Sequence, residues 1–201
     1  MTAIEADAKI TLEDESALLS LLLTYTGQGA LMEMGRMYFG LWYRFQGADA
    51  FLLWYTDEQD GVVVDETGRV LSFSDPETLK RWARLHGWKA ATTGMILHDL
   101  DAVQQWIEHP SSDTIDCDLA LAAWNMFIDV RVSIGQRNAL RDDPENDDIY
   151  DKLFFGNNLP SMTPPGEHYI PVWSAEEAER LKNILSEGLN LFQERVYIGV
   201  R

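Results

Sequence analysis

The sequence predicts an α+β fold, and three features carry that prediction. Aromatic and β-branched residues fill positions 37–74 in runs separated by turn residues, as in consecutive antiparallel strands. From residue 99 onward, apolar residues recur at helical spacing. The two textures follow one another instead of alternating, which argues against a parallel βαβ array. We therefore expect a single domain, with an N-terminal helix and an antiparallel sheet at 11–98 and a helical part at 99–201.

The part before residue 99 is predicted to contain one helix and at least four strands. Residues 11–24 carry a leucine-rich apolar face, so they are expected to form a first helix. Two hairpins follow, with four-residue turns predicted at 46–49 and 66–69. Residues 95–98 are a candidate for one further strand.

Four later helices are recognised from their capping residues. A short polar side chain at the N-cap accepts a hydrogen bond from the first turn, and Ser174 with Glu177 forms a complete capping box. Aspartates at such starts also favour the helix dipole, which is sufficient to explain the Asp99/Asp101 and Asp116/Asp118 pairs. The expected caps are Ser74 or Asp75, Asp99, Asp116 and Ser174.

The helix at 116–134 is predicted to be the centre of the fold. It is apolar on almost all sides, and a helix of that kind is usually buried. Together with the C-terminal helix at 174–195, it should form most of the layer that covers the sheet. The residues expected to be nearly fully buried are Trp124, Phe127, Ile128, Leu185 and Phe192.

The charge of the chain is strongly negative and unevenly distributed. The formal net charge is −17, and the segment from Asp99 to Asp151 holds 13 Asp or Glu against three Arg and no Lys. Nucleic acid is excluded as a direct ligand because phosphate binding needs clustered Lys and Arg. Such acidity is tolerated most easily when it aids solubility or attracts a basic partner. Residues 142–148 are expected to be a solvated acidic loop.

Several features favour a cytoplasmic protein without membrane segments. The chain has one cysteine, Cys117, so it cannot form an internal disulfide. Residues 1–12 lack the basic and apolar regions of a signal peptide. The longest apolar stretches are far shorter than the ~20 residues that a membrane span needs.

Catalytic and metal-binding patterns are weak, so neither a metal nor another cofactor is expected. The four histidines are scattered and none stands near a cysteine pair. Cys117 lies between Asp116 and Asp118, whose charges oppose thiolate formation, and is interpreted as a small core residue. An enzyme would have to use the one polar stripe of the central helix, formed by Asp118, Asn125 and Asp129.

The segment 152–173 is the candidate for a functional loop. It contains four prolines and several aromatic residues without any period. Loops of this length inside a compact domain are usually functional or disordered, and the aromatic residues and prolines favour order. An Ω-type loop packed on the core is the favoured interpretation, and a presented recognition loop is the alternative.

In its size, single-domain organisation, acidity and lack of a secretion signal or catalytic motif, the chain resembles bacterial toxin-immunity proteins. No residue motif carries this resemblance, so it implies a function but no site residues. It implies a protein that neutralises a basic partner, such as a toxin, through an acidic face. The partner-binding residues expected from charge and from the loop are Asp113, Asp142, Asp143, Glu145, Asp147, Asp148 and Tyr169.

Two other functional classes stay open at the level of sequence. The chain could be a structural or adaptor domain whose charge only keeps it soluble, or an enzyme built on the polar stripe. The sequence identifies neither the partner nor the oligomeric state.

Overall fold

The computed structural model describes residues 36–136 and 144–200, and these residues form a seven-stranded sheet with five α-helices. Strands β1 (Met37–Phe45) and β2 (Ala48–Thr56) are antiparallel, as predicted. Their connection is two residues long, shorter than the predicted four, because Phe45 pairs directly with Ala48. Gln46 and Gly47 both have positive φ, at 54° and 72°, which is typical of the tight turn whose twist matches two paired strands.

The second predicted turn is also present. It joins β3 (Gly61–Val62) to β4 (Val70–Phe73), and both strands run antiparallel to β2. The two strands therefore follow one another along β2, so the predicted second hairpin is wrong; across the turn it is reduced to an isolated antiparallel bridge between Val64 and Val70. The Asp65 carboxylate accepts hydrogen bonds from the backbone N–H of Thr67 and of Arg69, at 2.8 and 3.0 Å. The local chemistry of the turn therefore forms as the sequence indicates.

The sheet as a whole is mixed, so the prediction of a purely antiparallel sheet is wrong. Strands β5 (Ala90–Ala91) and β6 (Leu97–Asp99) pair with β1 in parallel, and β6 coincides with the further strand expected near 95–98. Strand β7 (Val196–Val200), which the sequence analysis missed, pairs with β4 in parallel. Helical segments separate these partners along the chain, and such long crossovers permit parallel pairing.

The helices begin where the capping residues predict. Asp75, Asp99 and Asp116 each accept a hydrogen bond from the first turn of their helix, and Ser174 with Glu177 forms the capping box. One helix begins where the sequence analysis predicted none. Residues 144–148 form its first turns, so the prediction of a solvated acidic loop is wrong for these residues. The helices are α1 (Pro76–Leu85), α2 (Leu100–Glu108), α3 (Cys117–Ser133), α4 (Pro144–Gly156) and α5 (Ala175–Arg195), and a 3-10 turn spans Ser112–Thr114.

The two faces of the sheet are covered by different helices. On one face, Phe51, Leu53 and Phe73 pack with Leu79 of α1 in a single apolar cluster. On the other face, the Tyr43 ring packs edge-to-face against the Phe192 ring of α5, with the two ring centroids 5.0 Å apart. Trp54 of β2 donates a hydrogen bond from Nε1 to Asp129 of α3 on that second face. The sheet is thus a middle layer between helices.

The central helix and the C-terminal helix supply the core, as predicted. Trp124, Phe127, Leu185 and Phe192 are each only 1% exposed. Ile128 is half-buried, so that prediction is wrong: it lies on the same incompletely buried side of α3 as Asn125 and Asp129, which are three positions before it and one after it.

Some predictions lie outside the described residues. They include the helix at 11–24 and the candidate residues Asp142 and Asp143. Within the described ranges, no helix is both long and apolar enough to span a membrane.

Candidate functional site

Three carboxylates lie close together in the chain where the 3-10 turn leads into α3. Asp113 belongs to the turn, Asp116 caps α3, and Asp118 is the second residue of that helix. The cap is made by Asp116 Oδ1, which accepts a hydrogen bond from the Leu119 N–H at 3.0 Å. All three residues are exposed, so their charges face solvent.

The segment Tyr169–Trp173 faces these carboxylates, and the side chain of Asn158 holds its first residue. Asn158 donates from Nδ2 to the Tyr169 carbonyl at 2.9 Å, and its Oδ1 accepts from the Tyr169 N–H at 2.7 Å. Asn158 has a φ of 50°, a conformation that Asn tolerates better than most residues. This clamp joins the two ends of the loop between residues 158 and 169 and fixes where the segment begins.

A lysine holds the same segment at its other end. Lys152 Nζ of α4 donates to the Val172 carbonyl at 3.0 Å and forms an ion pair with Glu177 of α5. Partial burial opposes ionisation of Glu177, but hydrogen bonds from Lys152 and from the Ser174 backbone lower its pKa below the ordinary value. The loop is therefore anchored to two helices by charged groups.

Side chains of the anchored segment alternate between two environments: those of Pro171 and Trp173 are half-buried, and those of Ile170 and Val172 are exposed. Pro171 lies against Gly156, where an added Cβ would stand 3.0 Å from the Pro171 ring, and Trp173 lies under Lys152. Between and beside them, Ile170 and Val172 are 81% and 84% exposed. Two neighbouring aliphatic side chains exposed to this degree on a fastened segment are typical of a surface that contacts another molecule.

An open cleft of about 550 Å³ lies between the carboxylates and the segment. We call it the acidic cleft; its walls are residues 112–118 on one side and residues 156–158 and 169–173 on the other. Asn157 donates from Nδ2 to Asp118 Oδ1 at 3.3 Å and links the walls at one point. In the part of the chain that the structure describes, no Lys or Arg forms an ion pair with Asp113, Asp116 or Asp118.

The structure brings together only some of the predicted partner-binding residues. Asp113 and Tyr169 both line the acidic cleft. Asp147 and Asp148 are exposed on α4 and are not among the residues that line it, and Glu145 lies in the first turn of the same helix.

Four residues of this site were not among the predicted partner-binding residues. Asp116 was assigned to helix capping alone and Asp118 to capping or to the polar stripe of an enzyme, although an exposed carboxylate at a helix start can also face a cleft. Ile170 and Val172 had one usable signal, the alternation Tyr-Ile-Pro-Val-Trp at 169–173, which is strand-like in spacing.

The polar stripe proposed for an enzyme does not converge. Asp129 accepts a hydrogen bond from Trp54 Nε1 at 2.7 Å, and Asn125 Oδ1 accepts one from the Tyr150 hydroxyl at 2.9 Å. Asp118 instead faces the cleft, and the helical rise places it roughly 16 Å from Asp129 along α3. Each member thus serves a different neighbour, and the three do not form one reaction site.

Cys117 lies in the wall of the acidic cleft and is half-buried. Burial, reinforced by the charge of Asp116, raises the pKa of its thiol. A raised pKa disfavours the thiolate that a nucleophile requires. Within the described residues, no group of three or more His, Cys, Asp or Glu side chains is placed to hold a metal ion.

No protein-family model and no curated protein sequence matches the chain. Among solved structures, the crystal structure of the SatS C-terminal domain in complex with bromine is similar, with a TM-score of 0.49 and 13% sequence identity. The similarity covers 83% of this chain and 95% of that domain. At this identity and TM-score, the similarity has no bearing on function.

Proposed function

We propose that this chain is a non-catalytic binding protein that sequesters a basic protein partner, with the acidic cleft as its contact surface. The observation that carries the proposal is the pairing of two features across one cleft. One wall presents carboxylates without a cationic neighbour in the described residues, and the other presents the exposed side chains of Ile170 and Val172.

The two walls suit the two stages of protein association. Exposed carboxylates attract a cationic partner over a distance and raise the association rate at low salt. Apolar side chains that become buried in the complex slow dissociation instead. The ties made by Asn158 and Lys152 reduce the conformational entropy that Ile170 and Val172 would lose on binding.

A toxin-immunity protein is the class of binding protein that we propose. Such a protein must recognise a cationic protein quickly, and the net charge of −17 favours rapid encounter with one. Asp147 and Asp148 of α4, which do not line the cleft, would then add to the steering field, and Asp142, Asp143 and Glu145 are proposed to contribute to it through their charge.

The test is binding kinetics between the full chain and a candidate partner, the product of a neighbouring gene that encodes a basic protein. One variant carries Asp113→Asn, Asp116→Asn and Asp118→Asn; asparagine still caps a helix, so α3 should be retained. We expect slower association at low salt and little change at high salt, where exposed charges are screened.

A second variant carries Ile170→Ser and Val172→Ser and should speed dissociation at least tenfold, since two aliphatic contacts are lost. Leu85→Ser on α1 is the matched control, because Leu85 is 79% exposed and packs with neither wall. Co-expression should also relieve any growth defect that the partner causes. If the association rate of the Asn variant is unchanged at low salt, the acidity serves solubility alone and the proposal fails.

A further inference from the structure

A second cavity adjoins the acidic cleft. It encloses about 300 Å³ between α2, the start of α3 and α5. We call it the apolar pocket, because aliphatic and aromatic side chains make up most of its wall. They are Val103, Trp106, Ile115, Leu119, Leu181 and Leu185.

The two cavities share a ridge. Ile115 and Asp116 line both the apolar pocket and the acidic cleft. Among the described residues, Asp116 is the one carboxylate in the pocket wall, and no Lys or Arg of those residues lines it. An occupant that crosses the ridge therefore meets an apolar recess on one side and uncompensated negative charge on the other.

The size of the pocket limits its occupant. A volume of about 300 Å³ is far larger than a single water needs and stands at the lower end of small-molecule sites. It can receive one large side chain. Interfaces commonly centre on such an anchor, surrounded by polar contacts that exclude water.

Resting on the proposed function, we infer that the apolar pocket receives one large apolar side chain of the same basic partner. The anchor belongs to a segment that also carries Lys or Arg, and these cations lie in the acidic cleft. Alternate residues of an extended segment are roughly 7 Å apart, so one short segment can cross the Ile115–Asp116 ridge and reach both cavities. The partner is thus expected to carry a Phe, Leu or Met within a few residues of a cationic group.

The experiment uses the full chain and three synthetic peptides, KKGFGKK, KKGAGKK and SSGFGSS, with affinities measured by isothermal titration. KKGFGKK should bind about tenfold more tightly than KKGAGKK, as expected for burial of one phenyl side chain. It should also bind more tightly than SSGFGSS, which lacks the cations.

Two variants fill the pocket, and one control leaves it open. Ala102→Leu and Gln105→Phe add volume at lining positions, whereas Gln104→Leu changes the same helix at a residue that does not line the pocket. Either filled variant should lose most of the preference for KKGFGKK over KKGAGKK, and Gln104→Leu should keep it. Two filling variants are used so that one survives if the other misfolds.

Each alternative occupant has its own signature. If SSGFGSS binds as well as KKGFGKK, the pocket takes an apolar ligand regardless of charge, and the inference is overturned. If the chain self-associates and Ala102→Leu abolishes this, the occupant is a second copy, which also overturns it. If both filled variants still prefer KKGFGKK over KKGAGKK as strongly as the unmodified protein does, the inference is likewise overturned. The Asn variant of the acidic cleft tests the proposed function separately, because it should weaken binding of both lysine peptides and leave the phenyl preference intact.

Discussion

The two ends of helix α3 carry similar polar residues and use them differently. At the C-terminal end, Asp129 accepts a hydrogen bond from Trp54 Nε1 at 2.7 Å, and Ser133 Oγ accepts one from the Val62 N–H at 2.8 Å. Both partners belong to the sheet. At the N-terminal end, Asp116 and Asp118 are exposed and face the acidic cleft.

This difference shows that the neighbours of a carboxylate, and not its place in a helical pattern, decide whether it can bind another molecule. A carboxylate that accepts a hydrogen bond from a buried indole, as Asp129 does from Trp54, stabilises the fold. A carboxylate beside an open cleft, with no cation nearby in the described residues, adds little to stability and keeps its charge for a partner. The predictions below separate a structural end of α3 from a binding end.

The largest expected effect is in the core, where Trp124 lies midway between the two ends of α3. Trp124→Ala should lower the free energy of unfolding by about 3–5 kcal/mol, because the side chain is 1% exposed and its loss leaves a cavity. Trp173→Ala, at the half-buried tryptophan of the acidic cleft, is the counterpart and should cost less. Urea denaturation measures both, and equal losses would contradict the contrast between the buried core and the wall of the acidic cleft.

The two aspartates at opposite ends of α3, Asp129 and Asp118, should also differ in how much they contribute to stability. Asp129→Ala leaves the Trp54 indole N–H without its acceptor, so we expect a loss of about 1–3 kcal/mol. Asp118→Ala should cost less than about 1 kcal/mol, since it removes a charge near the helix N-terminus and one exposed, 3.3 Å hydrogen bond from Asn157. Thermal melts of the two variants decide the point, and the reverse order would refute the comparison.

Close packing should limit substitution more strongly beside Phe127 in the core than beside the acidic cleft. A Cβ added at Gly188 of α5 would overlap the Phe127 ring, with Phe127 Cβ at 2.9 Å. Gly188→Ala should therefore cost about 1–2 kcal/mol, despite the better helix propensity of alanine.

Two further variants examine that packing. At Gly156, beside the cleft, an added Cβ would first meet the Cys117 sulfur, which can move, so Gly156→Ala should cost less. The double variant Gly188→Ala with Phe127→Leu should be less destabilised than the sum of its two changes. Additive losses would show that Phe127 is not the obstacle.

The smallest expected effect is a dependence of stability on pH. Burial of His98, the middle residue of β6, lowers its pKa below the ordinary 6.5, although Asp118 and the Ala122 backbone on α3 oppose this. The unfolded chain therefore binds a proton at a higher pH than the folded protein does. The stability that neutral His98 contributes is complete above about pH 6.5 and is lost as the pH falls toward the lowered pKa.

The prediction is that the free energy of unfolding decreases between pH 7.5 and 5.5, and that His98→Gln reduces this slope. The pKa values of Asp57, Asp65 and Asp75 are lowered by hydrogen bonds, so these carboxylates titrate below about pH 4 and do not affect the window. An identical slope in the variant would mean that His98 does not carry the dependence.

Much of the local structure could be read from the sequence because its causes lie within a few residues. Asp99, Asp116 and Ser174 cap helices by bonding to N–H groups two or three positions ahead. Apolar residues on almost all sides of α3 likewise predicted that Trp124 and Phe127 are buried. Burial of this kind follows from the composition of the helix and does not require knowing which elements surround it. The α+β class follows from the same local signals.

Tertiary structure alone decided how these elements pair and which side chains stay available. Val196–Val200 joins β4 in parallel, and nothing local indicates a partner so distant in sequence or its direction. Asp118 and Asp129 are the same residue type on one helix, so the sequence does not distinguish their roles. The position of Trp54 in the folded sheet does, because its indole N–H donates to Asp129. Ile170 and Val172 face Asp113 across a cleft because the side chains of Asn158 and Lys152 fasten the loop there, through contacts that no spacing rule encodes.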